Sequence, residues 1–281
     1  MKIFFTTCLA MLFAAAGYAQ VKEMDDFQKK LNFYMDFNRG KIDSLPVNQS
    51  NQIKLRSAVD ESFKKFVLDR NSYQYEKLAP AKGDETTKYF RLDGRISVYA
   101  KAFPINGKTY IVYSYTSMDK RNYVIKENES NTLVYEGSSK SYLVDALYLL
   151  DQNSFLLIEK NGDRNSDRSA FVLSNKKSPW SKVKAFEGKA FGQVPGQYMV
   201  KKFVKKRAEL QLSCDMDFGA GLPADACTIS FDPATRTISY KQYSDHRKFK
   251  LISAKWTNNV FIIDDYDVNE NFSGNATALP E

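Results

Sequence analysis

TYIVYSYTSMDKRNYVIKENESNTLVYEG, residues 109 to 137, decides the fold class. Three short runs rich in Tyr, Val, Ile and Thr are separated by SMDKR and ENESN. Aromatic and β-branched residues in short runs, bounded by Asn, Asp, Ser and Gly, read as strands, since such side chains pack well on a half-buried pleated surface.

The same texture runs from Tyr89 to the far end of the chain. RISVYAKAF precedes the quoted stretch, with PINGK as its turn. YLVDALYLL, the turn Asp151-Gln152-Asn153-Ser154, FLLIEK, the charged loop NGDRNSDR and SAFVLS follow it. Farther on, ACTISF and TRTISYKQY flank Asp232-Pro233-Ala234, with the proline placed for a type I turn. KLISAKW and VFIIDDY flank Thr257-Asn258-Asn259 in the same way. This pattern predicts a mainly β chain, with an antiparallel meander over residues 81–281 built as a propeller-like, barrel or sandwich architecture. An internal echo supports a meander unit. The unit SFLLIEK, SAFVLS and VKAFEG, residues 154 to 188, repeats the strand-loop-strand-loop-strand order and the closing Glu-Gly of residues 109 to 137. The offset is about 45 to 51 residues, within the range of sheet-based repeats.

Ahead of the strands, the period changes from two to 3.6. Met24, Phe27, Leu31 and Tyr34 fall on one face of a helix over 22–38, with Gly40 as its stop. Leu55, Val59, Phe63, Phe66 and Val67 share a face over 50–70, with Ser50 as the expected N-cap. Residues 20–80 are thus a helical segment of two amphipathic helices, whose apolar stripes need a partner to pack on.

The chain opens MKIFFTTCLAMLFAAAGYAQ, one lysine followed by an apolar run and then Gly17-Tyr18-Ala19. This is the layout of a secretory signal peptide over 1–19, too short for a membrane span. The expectation is a soluble protein, periplasmic or extracellular, that does not span the membrane. Of three cysteines, Cys8 lies within the signal. Cys214 and Cys227 remain, an even pair in an oxidising compartment, and read as a disulfide strapping a loop; two free thiols are the alternative. With only His246 beside them, a four-ligand zinc site is poorly served.

Catalytic signatures are scarce. A triad would have to use His246, and no nucleophile elbow, H-E-x-x-H, Walker A or G-x-G-x-x-G occurs. A carboxylate pair leaves no signature in sequence spacing, so a carboxylate-based hydrolase of polysaccharide stays as the rival reading. Acidic residues cluster as Asp215, Asp217 and Asp225, and as Asp264, Asp265, Asp267 and Asn269. The second group alternates oxygen ligands like the start of a calcium loop but has Glu270 where such a loop needs glycine. No cofactor is expected, calcium being the one metal that the pattern allows.

Formal net charge is +8. Lys201, Lys202, Lys205, Lys206 and Arg207 concentrate it in VKKFVKKRAEL. As a helix these would form a basic stripe for an anionic polymer; as a strand they would fall on both faces and guard a sheet edge. Tyr110, Tyr113, Tyr115, Tyr123, Tyr135, Tyr142 and Tyr148 crowd the middle strands. They read first as core and cross-strand pairs, and second as a platform for sugar rings. Export removes nucleic acid as the usual partner. The sequence therefore points to a non-catalytic binding or interaction protein whose ligand is a glycan, another anionic polymer or a protein partner. A structural subunit of a surface assembly is the third class.

Overall fold

Both apolar stripes fold as helices. α1 covers 22–38 and stops at Gly40, as expected. Gly40 takes φ 67°, its N–H donates to the Phe37 carbonyl (3.0 Å), and the Lys41 N–H donates to the Asp36 carbonyl (3.0 Å). This is a Schellman ending, which needs a residue at ease in the left-handed region. α2 covers Gln49–Leu68, and its N-cap is Asn48 rather than Ser50. Asn48 is extended, and its Oδ1 accepts from the Asn51 N–H (2.9 Å), so the carboxamide meets an orphan donor of the first turn.

The computed structural model describes residues 22–69, 79–81, 84–91, 97–117, 120–139, 142–161, 168–176, 180–193, 200–212, 228–245 and 248–263. The chain divides into two compact units, Met1–Ser141 and Tyr142–Glu281. The sequence placed a boundary near residue 80, where helical texture ends. The contacts place it at 141 because the helices belong with the first sheet.

In the first unit six strands follow the helices. They are β1 Ala79–Ala81, β2 Asp84–Arg91, β3 Ser97–Ile105, β4 Lys108–Ser117, β5 Lys120–Glu127 and β6 Thr132–Ser139. They pair in sequence order, every pair antiparallel. Asn106 and Gly107, at φ 50° and 76°, close β3 onto β4 as a two-residue turn whose twist matches the strands. The helices lie against one face of this sheet. Phe27 and Leu31 of α1 and Val59, Phe63, Phe66 and Val67 of α2 share a core with Val98, Ala100, Ile111, Tyr113, Tyr115 and Val124. At its centre the rings of Phe27, Phe63 and Tyr115 meet at 4.6 to 5.1 Å.

The second unit carries β7 Tyr142–Asp151, β8 Ser154–Asn161, β9 Arg168–Ser174, β10 Ser181–Val183, β11 Phe186–Gln193, β12 Val200–Arg207 and β13 Glu209–Leu212. It ends with β14 Ile229–Asp232, β15 Thr237–Asp245, β16 Lys248–Thr257 and β17 Val260–Ile263. One sheet runs β10-β9-β8-β7, with β13 also on β9; the other runs β12-β11-β17-β16-β15-β14. Leu156, Ile158, Ala170 and Val172 of the first share a core with Phe186, Ile238, Ile252, Trp256, Phe261 and Ile263 of the second, a sandwich-like arrangement. Tyr148 meets Phe231 across the layers at 5.0 Å, and Trp256 Nε1 donates to Asp151 Oδ2 (3.1 Å). β11 and β17 run parallel, a departure from the all-antiparallel expectation. The echo holds for its first two strands, β4-β5 and β8-β9, but its third run, VKAFEG, spans the end of β10 and the start of β11, which belongs to the other sheet.

Glu209 sits where β13 takes over from β10 along β9. It accepts from Ser169 Oγ and pairs with Lys182 Nζ. Burial raises its carboxyl, but Lys182 and Ser169 outweigh that and hold it below the usual glutamate value. A carboxylate lowered in the fold stabilises above its ordinary value of 4.5, and loses that stability as pH falls through the folded value. Glu209→Gln is expected to lose stability at neutral pH, and the gap to wild type should close in acid, read by denaturant melts across pH. Phe63→Ala should cost about 3–5 kcal/mol by opening the aromatic centre. Circular dichroism is the suitable probe for Phe63→Ala, because both tryptophans, Trp180 and Trp256, lie in the second unit.

Candidate functional site

Two ties hold the C-terminal end of α2 on the sheet. Lys126 Nζ donates to the Val67 carbonyl (2.8 Å) and to Asn131 Oδ1 (2.9 Å), while Asn131 Nδ2 donates to the Leu68 carbonyl. These satisfy carbonyls that a helix leaves without internal partners. With Val59, Phe63, Phe66 and Val67 turned into the core, Arg56, Asp60 and Lys64 follow one another at four-residue spacing on the flank of α2. That flank faces β5 and β6 across a cleft of about 410 Å³, lined by Arg56, Asp60, Asn122, Val124, Glu136 and Ser138 among others.

Beneath the cleft runs a chain of hydrogen bonds closed by an ion pair. Arg56 Nη2 donates to Asn122 Oδ1 (3.2 Å), and Asn122 bonds Tyr115. Tyr115 donates its O–H to Asp60 Oδ1 (2.6 Å), and Arg56 Nε lies 3.8 Å from Asp60 Oδ2. Burial first, and the neighbouring Asp60 charge second, push the Tyr115 phenol far above its ordinary value, so it stays a proton donor. Burial also raises the Asp60 carboxyl; Tyr115 and Arg56 pull it down, Glu136 and Glu61 push it up, and the outcome is a raised value. At the rim, Lys64 Nζ bridges Glu61 (2.9 Å) and Glu136 (3.1 Å).

Chemically, the cleft presents two carboxylates as acceptors, a guanidinium and a carboxamide as donors, and the Ser138 hydroxyl, which does both. That mixture suits a ligand whose own groups both donate and accept. Strand alternation places Asn122, Val124, Glu136 and Ser138 on the helix side of the sheet, and Tyr123 and Tyr135 on the other side, where their rings meet at 6.1 Å.

The residues flagged by the sequence fare differently. Tyr110, Tyr113, Tyr115 and Tyr123 are buried, and Tyr135 and Tyr148 are half-buried, so the core reading applies to them rather than the sugar platform. The side chain of Tyr142 lies outside the described residues. Lys201, Lys202, Lys205, Lys206 and Arg207 lie on β12, a strand and not a helix, at the end of its sheet. β12 being a strand, the helical stripe does not form. Lys206 Nζ pairs with Glu187 Oε2 at 3.3 Å. The expected signal peptide, Cys214 and Cys227, Asp215, Asp217 and Asp225, His246, and Asp264, Asp265, Asp267 and Asn269 all lie outside the described residues. Among the described residues no cluster of His, Cys, Asp and Glu is arranged to hold a metal ion, and no helix is long and apolar enough to cross a membrane.

Compared with protein-family models, curated proteins and solved structures, the chain matches none. The cleft therefore rests on its own chemistry. Its one sequence signal is the regular Arg56, Asp60, Lys64 spacing on α2; that this flank faces β5 and β6 follows only from the packing.

An acid with a raised folded value holds its proton more readily folded than unfolded. Its ionisation therefore weighs against the fold, and stability falls as pH climbs from 3.8 through the folded value. Asp60→Asn should match or exceed wild-type stability at neutral pH, with the margin shrinking as pH drops below 3.8. Paired thermal melts across that range check it; a variant weaker at neutral pH would mean that the ionised carboxylate is held for stability.

Proposed function

We propose that this is an exported, non-catalytic binding protein, and that its ligand is a glycan held in the cleft between α2 and the strands β5 and β6. The N-terminal residues 1–19 support export by their signal-peptide layout. The observation that carries the ligand class is the ring of Arg56, Asn122, Tyr115 and Asp60 beneath an open cleft. Planar amide, guanidinium and carboxylate groups, fixed in direction by one another, match vicinal hydroxyls, and fixing them beforehand lowers the entropy lost on binding. An anionic polymer has less support, since the basic run is a strand and the helical stripe does not form.

One observation favours the rival. The Asp60 carboxyl, raised by burial, shares the cleft with Glu136, and glycoside hydrolysis uses two carboxyl groups held in differing environments. A single experiment separates the two. Oligosaccharides are titrated calorimetrically into the wild-type protein and Ser138→Trp, then incubated and analysed for new reducing ends. Ser138 is exposed, so the indole fills the cleft without entering the core. Binding that disappears in Ser138→Trp at an unchanged melting midpoint, with no new ends, is the expected result. New ends that vanish in Asp60→Asn would establish the hydrolase, and binding that persists in Ser138→Trp would place the ligand elsewhere.

A further inference from the structure

The charges around the cleft do not balance. α2 contributes Arg56 and Lys64 as cations and Asp60 and Glu61 as anions, and β6 contributes Glu136. Lys64 is shared between Glu61 and Glu136, and Arg56 is divided between Asp60 and Asn122. Among the described side chains, three carboxylates thus face two cations. Lys126, the cation of β5 whose side chain is described, is turned to the end of α2, onto the Val67 carbonyl and Asn131. On a chain of net charge +8 this is a local negative site, and it coincides with a cavity large enough for a ligand. Repulsion shows within the set, since Glu136 and Glu61 both push the Asp60 carboxyl up, behind burial as the main cause.

We infer that the glycan taken by this cleft carries a free amine, so that an ammonium group sits by Asp60 and Glu136 while sugar hydroxyls engage Arg56, Asn122 and Ser138. This rests on the glycan reading above and names its ligand class. An ammonium brings three donors and one positive charge to a place where two carboxylates lack a full complement of cations, and it leaves the set neutral. A uronic acid at the same point would add a fourth carboxylate.

Three probes of equal length test it by calorimetry on the full chain. They are the β-1,4-linked trimer of glucosamine, the corresponding glucose trimer, with a hydroxyl in place of each amine, and the glucuronic acid trimer, all at a pH where the amine is charged. The glucosamine trimer should bind about tenfold more tightly than the glucose trimer, the worth of one charge-assisted hydrogen bond, and the glucuronic acid trimer most weakly. Added salt should shrink that preference, because screening weakens it. Glu136→Gln, at an exposed position, should collapse the ratio between the first two trimers by lowering affinity for the amine more than for the hydroxyl. Equal binding of the two, tighter binding of the acid, or an unchanged ratio in Glu136→Gln would overturn the amine inference and leave the glycan reading standing. If none of the three binds, the glycan reading itself fails.

Discussion

The first unit depends on a junction of three rings: Phe27 from α1, Phe63 from α2 and Tyr115 from β4. All three are essentially without solvent contact, and burying such rings is the largest apolar contribution any single side chain makes. The junction also sets geometry. It fixes the rotation of α2, because Phe63 must enter the sheet, and that rotation determines which flank of the helix overlooks β5 and β6. Tyr115 then works in two regimes at once. Its ring belongs to the core, while its hydroxyl needs a partner there and finds it in Asp60. The cleft is thus a consequence of the core, since a buried phenol on a strand draws a carboxylate from the helix above it.

The same relation explains how much was legible in the sequence. Helix faces, strand runs and hairpins were readable because each is local: Phe27 and Leu31 repeat at helical spacing, and Asn106-Gly107 and Asn258-Asn259 carry the left-handed φ that two-residue turns need. The parallel ladder between β11 and β17 was not, because nothing within either strand specifies a partner some seventy residues away. The N-cap illustrates a smaller limit. Asn48 and Ser50 are both suitable capping residues, and only the extended backbone at Asn48 decided between them.

The site was largely hidden for a related reason. Aromatic residues in alternation, such as Tyr113, Ser114, Tyr115, give no sign of which face is dry when both faces of a strand are buried, as they are here. The basic run at 201–207 reads in sequence either as a helical stripe or as the guard of a sheet edge, and it is a strand at the end of its sheet. Arg56, Asp60 and Lys64 look like an ordinary solvated helix flank, and only the strands opposite make Arg56 and Asp60 part of the wall of a cavity.

Two half-buried carboxylates of this protein behave in opposite ways. Glu209 accepts from Lys182 and Ser169, its demands are met within the fold, and its carboxyl is held low. Asp60 has Tyr115 and a more distant Arg56, with two other carboxylates nearby, and its carboxyl is held high. Burial acts on both in the same sense, so the difference lies in the donors that each receives. A carboxylate fully served by its own chain gains little from a ligand. One left short of donors at the wall of an open cleft has favourable interactions still to make, and a fold that retains it there carries a cost that replacement by Asn would relieve. Such a group, placed beside a cavity and poorly satisfied by its own protein, distinguishes a binding site from a salt bridge.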